Sequence, residues 1–369
     1  MPDTTLRNSI AVAIATGLVA TAVVVTGWSV FEFDPALFIY AEALILSLTL
    51  TAYRFAIWLH RPPTQILFRS ALTMVKTSEQ RSSLLIHVGK RIASYFALNR
   101  FVWKRGILRW SAHFPIMIGC VMALAIVVPL IFGWVWFETP ADDFSQYHVM
   151  VFGQHVRTLP IDGFEAFLAF HGLVWASFPV LIGCGVALWR RVRDRGDAAV
   201  QTFSNDFLPL LLLLAIAITG LAMTISYSFL GGALHKPIAM THMAIVCGTL
   251  LWLPYSKLFH IPQRSLKLAH MAYEHQAAAG ARANCSRCGE AFADQIHVDD
   301  LIRVQQALGY EYQADQADGH YQNVCPRCRR ASFVIAHAAR WQHARSPSFS
   351  VSDSDGVLDD DARSTPLAN

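Results

Sequence analysis

The chain has 369 residues, 54% of them hydrophobic and only 15% charged, with a formal net charge of +4. Together with a positive mean hydropathy, this balance excludes an ordinary soluble enzyme and directs attention to segments that cross a bilayer.

Apolar runs of the roughly 20 residues needed to span hydrocarbon occur at 8–31, 36–59, 111–136, 164–189, 207–230 and 238–259. The expected fold is an all-α membrane protein: a six-helix transmembrane bundle followed by a small four-Cys module. The first run follows Arg7 and resembles a secretory leader. It exceeds the usual apolar core of about 7–15 residues, and Trp28-Ser29-Val30-Phe31 is too bulky for a cleavage site, so it reads as a retained helix. The connection from Arg54 to Arg109 carries Arg61, Arg69, Lys76, Arg81, Lys90, Arg91, Arg100, Lys104 and Arg105 against Glu79 alone. Arg190, Arg191, Arg193 and Arg195 follow the fourth run, and both basic connections are expected in the cytoplasm. Glu32, Asp34 and the connection at 137–163, with Glu138, Asp142, Asp143 and Asp162 against Arg157, are then outside. A multi-pass protein of the cytoplasmic (inner) membrane with both termini cytoplasmic results. The stretch 64–100, with Leu84, Leu85 and Ile92 among its apolar residues, reads as helices lying on the cytoplasmic lipid surface. No duplicated halves of the kind expected of many carriers are visible.

After the last run comes a basic, Ala-rich exit at 261–282. The organisation reads as an N-terminal helix at 1–35, a membrane domain at 36–268, a cytoplasmic module at 269–344 and a disordered tail at 345–369, rich in Ser and Asp including Asp353, Asp355, Asp359, Asp360 and Asp361. Cys120, Cys184 and Cys247 sit singly in apolar runs, where a thiol behaves as a small hydrophobe.

Ionisable side chains inside membrane helices are costly and are functional candidates. His242 and His260 lie 18 residues apart; on one continuous helix that is five turns and about 27 Å of rise, with both on one face. His113 begins the third run at the depth of His260, and His171 enters the fourth near the depth of His242. Two such pairs suit two stacked haems, each iron held by two imidazoles. The bland reading is that a membrane histidine is a hydrogen-bonding or interfacial residue, and it is preferred for His60 and His87. His148, His155 and His235, in or near the outer connections, are read as solvent-exposed, although one of them could replace His171.

The segment from Thr241-His242-Met243 through Gly248, Thr249, Leu250 and Leu251 to Leu253-Pro254-Tyr255-Ser256-Lys257-Leu258-Phe259-His260 resembles the last helix of the respiratory nitrate reductase gamma subunit. It is also similar to the membrane cytochromes b of heterodisulfide reductases and dissimilatory sulfite-reduction complexes. The resemblance extends more weakly over about 36–268. It implies a five-helix cytochrome b core behind one extra helix, with His113 and His260 as one haem pair. Where that family has another histidine ten residues beyond the first, this chain has Ala123, and His171 is taken as the replacement partner of His242. The resemblance implies haem b, one or two copies, carrying electrons between the quinone pool and a cytoplasmic iron–sulfur or molybdopterin subunit. Asp162 and Glu165 are candidates for exchanging the quinone's protons; the bland reading is that acids favour a helix start. The chain shows no nucleotide-binding loop, ferredoxin-type cysteine run or molybdenum-cofactor domain, so substrate chemistry is expected in partner subunits.

Cys285-Ser-Arg-Cys288 and Cys325-Pro-Arg-Cys328 form two CxxC knuckles, the signature of a closed four-cysteine zinc site in a ribbon-like module. Iron is the rival, because four cysteines also hold iron–sulfur centres; Arg329, where rubredoxin has Gly, tilts the reading to zinc. Arg287, Arg327 and Arg330 also crowd the site, and the membrane tether argues against nucleic acid as a partner. The competing reading of the whole chain is a haem-free six-helix transporter, or a scaffold whose zinc ribbon recruits a soluble partner.

Overall fold

In hydrocarbon a backbone must satisfy its own hydrogen bonds, and the apolar runs do so as helices. The computed structural model describes residues 3–30, 35–77, 86, 89–90, 93–193, 201–264, 266–313 and 319–345. Glu32, Asp34, Glu79, Arg81, Leu84, Leu85, His87, Arg91, Ile92, Arg195 and the acidic tail from 346 onward lie outside the described residues. Among the described residues six helical stretches are long and apolar enough to cross a membrane: Thr4–Trp28, Pro35–Leu59, Ile107–Ile131, Gly172–Arg193, Phe203–Phe229 and His235–Tyr255. The protein is thus mostly helical, with the membrane-like bundle and the C-terminal four-Cys cluster expected from its sequence.

The first compact unit is Met1–Ala279. It contains α1 (Asp3–Val30), α2 (Phe38–Leu59), α3 (Pro62–Thr77), the short α4 (Arg100–Trp103), α5 (Ile107–Ile131), α6 (Phe164–Phe170), α7 (Gly172–Arg193), α8 (Leu208–Phe229), α9 (His235–Trp252), α10 (His260–Gln263) and α11 (Leu266–Ala278). Adjacent packing follows the order α1, α2, α9, α8, α7, α5, and α5 returns to touch α2; the Trp28 indole also donates to the Ile131 carbonyl at 2.8 Å. Helix α3 packs against α11.

Between lipid-solvated helices the contacts depend on close backbone approach, so small residues line them. A Cβ at Gly119 of α5 would lie 2.5 Å from the Ala176 carbonyl oxygen, and one at Gly183 of α7 would lie 2.6 Å from that of Ala112. Ala112, Val180, Cys184, Ala187, Leu210 and Ala217 fill the seam shared by α5, α7 and α8. Large apolar residues such as Val121, Leu124, Ile182 and Ile218 face outward, as expected where the solvent is lipid.

Two features depart from a purely helical reading. The segment after α5 forms a three-stranded antiparallel sheet, β1 (Val135–Glu138), β2 (Gln146–Val151) and β3 (Gln154–Pro160). Its tight turn places Phe152 and Gly153 at φ +48° and +78°, the left-handed pair of a type I′ hairpin. The last spanning helix is also not continuous to His260. Helix α9 ends at Trp252, tight turns follow at Leu253–Tyr255 and Lys257–Phe259, and Ser256 between them is extended. Five uninterrupted turns from His242 to His260 therefore do not exist.

The break is held from α2. The Ser47 hydroxyl donates to the Leu250 carbonyl at 2.7 Å, and the Arg54 guanidinium donates to the Pro254 carbonyl. The same guanidinium stacks 4.7 Å from the Phe259 ring centre and 6.0 Å from that of Tyr255.

The second unit is Gly280–Asn369. Its described part consists of the hairpin β4 (Arg282–Asn284) and β5 (Ala291–Asp294), then α12 (Gln295–Ala307) and α13 (Pro326–Arg345).

Forcing a branched side chain into the α5–α7 seam should cost about 1–3 kcal/mol through overpacking. Gly119→Val and Gly183→Val are each expected to lower the thermal midpoint of the detergent-solubilised protein. An unchanged midpoint in both would mean these helices do not approach as closely as described.

Candidate functional site

The structure brings His113 and His260 together: their ring centres are 6.5 Å apart with planes inclined at 65°. Metal–nitrogen bonds of about 2.0–2.1 Å, with each ring centre roughly 1.1 Å behind its donor nitrogen, would put two imidazoles on one metal about 6.3 Å apart. The pair therefore has the separation of axial ligands to a shared metal, and the donor set is one that haem iron accepts.

Each ring is braced from behind. The Nδ1 of His260 donates to the Lys257 carbonyl at 2.6 Å; a carbonyl can only accept, so Nδ1 carries the proton and Nε2 keeps its lone pair. Lys257 is itself anchored by an ion pair with Asp206, at the start of the fifth span, and Ser256 caps the Leu258 N–H at 3.1 Å. Burial holds the His260 pKa below its ordinary value; the Lys257 carbonyl opposes that shift and nearby Arg264 adds to it. The ring is therefore neutral near pH 7, as a ligand must be.

Behind His113 stands Asn99, fully buried and left-handed at φ +48°, a conformation Asn tolerates better than most residues. Its amide nitrogen lies 3.3 Å from His113 Nδ1 and 2.9 Å from the Met117 sulfur. Its Oδ1 is buried without a partner among the described residues. A half-turn of the amide would aim that oxygen at a His113 Nδ1–H and free Nε2. Phe101 packs edge-on against the His113 ring at 6.5 Å.

His171 and His242 are not brought together. His171 ends α6 with Nδ1 2.8 Å from the Phe167 carbonyl and its ring tilted at 33° to that of Phe167, centres 4.3 Å apart. His242 lies over Gly220 of α8, where a Cβ would be 3.5 Å from its Cε1. Its Nδ1 is 2.8 Å from the Thr219 hydroxyl. That hydroxyl donates its one proton to the Ala215 carbonyl at 2.6 Å, so its oxygen accepts from His242 Nδ1–H and again leaves Nε2 free. This bracing alone does not mark a ligand, because His60 makes the same contact with Ala56 at 2.7 Å. Of the two acids, Glu165 is an exposed ion-pair partner of Arg157 at 2.6 Å, a geometry worth at most about 1 kcal/mol, and Asp162 is exposed in the turn before α6. His148 and His155 meet across the β2–β3 hairpin with ring centres 4.5 Å apart.

In the second unit Cys285, Cys288, Cys325 and Cys328 bring their sulfurs within 4.8 Å of one another. A tetrahedral four-thiolate zinc site with bonds of about 2.3 Å has edges of about 3.8 Å, the Cys288–Cys325 separation. The first knuckle sits on the β4–β5 hairpin, where Cys285 N–H donates to the Glu290 carbonyl at 2.9 Å and Gly289 N–H to that of Cys285 at 2.9 Å. The second is the first turn of α13, with Pro326 opening the helix, so a helix start replaces a ribbon's second hairpin. Burial pushes the Cys285 thiol up, but N–H donors from Cys325, Cys288 and Arg287 outweigh it and bring it down to about 6. The crowding thiols of Cys325 and Cys288 push Cys328 up to about 12. Four adjacent thiols cannot all ionise unaided, and a cation such as zinc would supply the missing charge. Two of the nearby arginines brace the loops: Arg329 donates to the Val324 carbonyl at 2.6 Å and lies over Tyr321, and Arg287 bonds Ser332.

Against known proteins, the family model described as CitB, citrate utilization protein B, matches residues 172–281. The match spans α7 to α11, taking in His242 and His260 and leaving out His113 and all four cysteines. No curated protein and no solved structure matches the chain.

Metal analysis of the purified protein is expected to find one metal ion per chain at the cysteines. Cys325→Ser should remove it and expose the second unit to proteolysis; a variant with the full metal content would rule out the four-sulfur site.

Proposed function

We propose that this chain is a membrane cytochrome b that conducts electrons between the quinone pool and a soluble oxidoreductase subunit on the cytoplasmic side. The observation carrying the reading is the His113–His260 pair: two braced imidazoles from different segments at the separation of ligands to one iron. The resemblance to nitrate reductase gamma subunits points to the same two residues. The match to a citrate utilization family supports assigning the electron transfer to the use of citrate or a related tricarboxylate.

His113 and His260 would hold haem b, and bound there it would supply reversible one-electron transfer. Asn99 and the Lys257 carbonyl fix the tautomers, Phe101 shields the pair, and the Asp206–Lys257 ion pair sets where His260 begins its helix. His242, braced by Thr219, is the proposed half of a second site, with His171 the candidate for its other half. Asp162 and Glu165 are proposed to exchange protons with quinone at the sheet end. The four cysteines are proposed to hold zinc as a structural ion, with iron as the competing occupant. An iron–sulfur or molybdopterin protein is the proposed partner. The placement in the inner membrane with both termini in the cytoplasm rests on the basic connections around 54–109 and 190–195.

A haem-free carrier or scaffold is the second reading, favoured by the family match itself, since citrate utilization also requires uptake. The purified protein is expected to show a reduced-minus-oxidised α-band near about 560 nm, as bis-histidine haem b does. His113→Ala and His260→Ala should each abolish the contribution of that site. A colourless wild-type protein would establish the second reading instead.

A further inference from the structure

Arg264 lies one helical turn beyond His260, its backbone N–H bonded to the His260 carbonyl at 3.0 Å, so the two residues share a face of the chain. Its guanidinium is seated 4.5 Å from the Phe101 ring centre, and Phe101 in turn abuts His113 at 6.5 Å. The cation is thus held beside both imidazoles by an aromatic floor, half-buried. A second cation, Arg105, is close enough to repel it, and among the described residues no carboxylate pairs with either. A half-buried guanidinium that has no carboxylate partner among the described residues and is repelled by a second cation is an unfavourable arrangement that an anion would relieve. A guanidinium also offers the planar, two-pronged donor geometry that matches a carboxylate.

We infer that Arg264 and Arg105 form a carboxylate-binding site beside the His113–His260 pair, and that its ligand is the pair of propionate groups on the edge of the tetrapyrrole. The inference rests on the haem reading and extends it: the imidazoles hold the metal, and the arginines fix the rotation of the ring about the axis joining them. The ring's acidic edge then points to the end of the bundle that carries α10, where water can reach the arginines' outer side. Arg264 and Arg105 are positioning residues, and neither acts as an axial ligand.

The test uses full-length protein in detergent, stripped of haem and reconstituted either with haem b or with its dimethyl ester, which keeps the iron and macrocycle but lacks both negative charges. Wild-type protein should bind the free acid about ten- to hundredfold more tightly than the ester, the worth of a charge-assisted hydrogen bond. Arg264→Leu should lose most of that preference while still binding the ester, Arg105→Leu should lose part of it, and Arg264→Lys should retain part. Ester binding by the variants shows that they are folded. Equal affinity of the wild type for both porphyrins, or an undiminished preference in Arg264→Leu, would overturn the inference while leaving the haem reading intact. Loss of co-purifying anionic lipid from Arg264→Leu with no change in porphyrin preference would assign the arginines to headgroups and likewise overturn it. Wild-type protein that takes up neither porphyrin would remove the haem reading together with the inference.

Discussion

The membrane unit depends on one interaction, the hold of Arg54 on the interrupted end of α9. A break inside an apolar span leaves carbonyls without helical partners, and each is costly in hydrocarbon. Arg54 on α2 satisfies that of Pro254, Ser47 adds a bond to the Leu250 carbonyl, which also accepts from the Leu253 N–H, and Phe259 and Tyr255 accept the remaining face of the guanidinium. A charge that would be expensive alone in the membrane thus becomes the clamp that stabilises the break. The break starts a new helix at His260, which lies within reach of His113.

The spanning helices were legible because hydropathy over about 20 residues is a strong signal, and depth along those spans was enough to pair His113 with His260. The five continuous turns expected between His242 and His260 were wrong in detail. Pro254 carried the warning, since proline disfavours helix in the residue before it; membrane helices tolerate proline well enough that the signal was easily overridden. Asn99 gave none: a left-handed asparagine in a basic connection looks like any loop residue until its side chain is found against His113. Thr219, Asp206 and Lys257 were equally silent, because a bracing hydrogen bond across the fold has no sequence spacing. The three-stranded sheet was missed for a local reason: its turn places Phe152 where asparagine or glycine would announce a type I′ hairpin.

The cysteine module divides the same way. Knuckle spacing alone singled out four cysteines whose sulfurs the fold places within 4.8 Å of one another, because a CxxC turn brings its own two sulfurs together locally. The scaffold around the second knuckle was also written locally, in Pro326 directly after Cys325, a residue suited to the first turn of a helix. Reading that signal would have placed a helix start at the second knuckle. A helix start presents N–H groups and the positive end of its dipole to thiolates, so the site stabilises sulfur charge with backbone while Arg329 is committed to a loop carbonyl.

The two histidine pairs stand unequally, and packing order explains why. Helix α9 has α2 and α8 as its neighbours, whereas α7 lies on the far side of α8 and against α5. His171 at the start of α7 must therefore reach past α8 to share a metal with His242. His260 escapes that constraint because the broken end of α9 carries it away from the helix axis to α5. An electron conduit across the full hydrocarbon thickness of about 30 Å needs both ends furnished. A conduit with the His113–His260 centre alone needs only that quinone come to that depth, which a lipid-soluble carrier can do within the membrane. The single-centre form is thus the one that asks least of the fold, and the paired form adds the demand that a second ligand cross from α7 to α9.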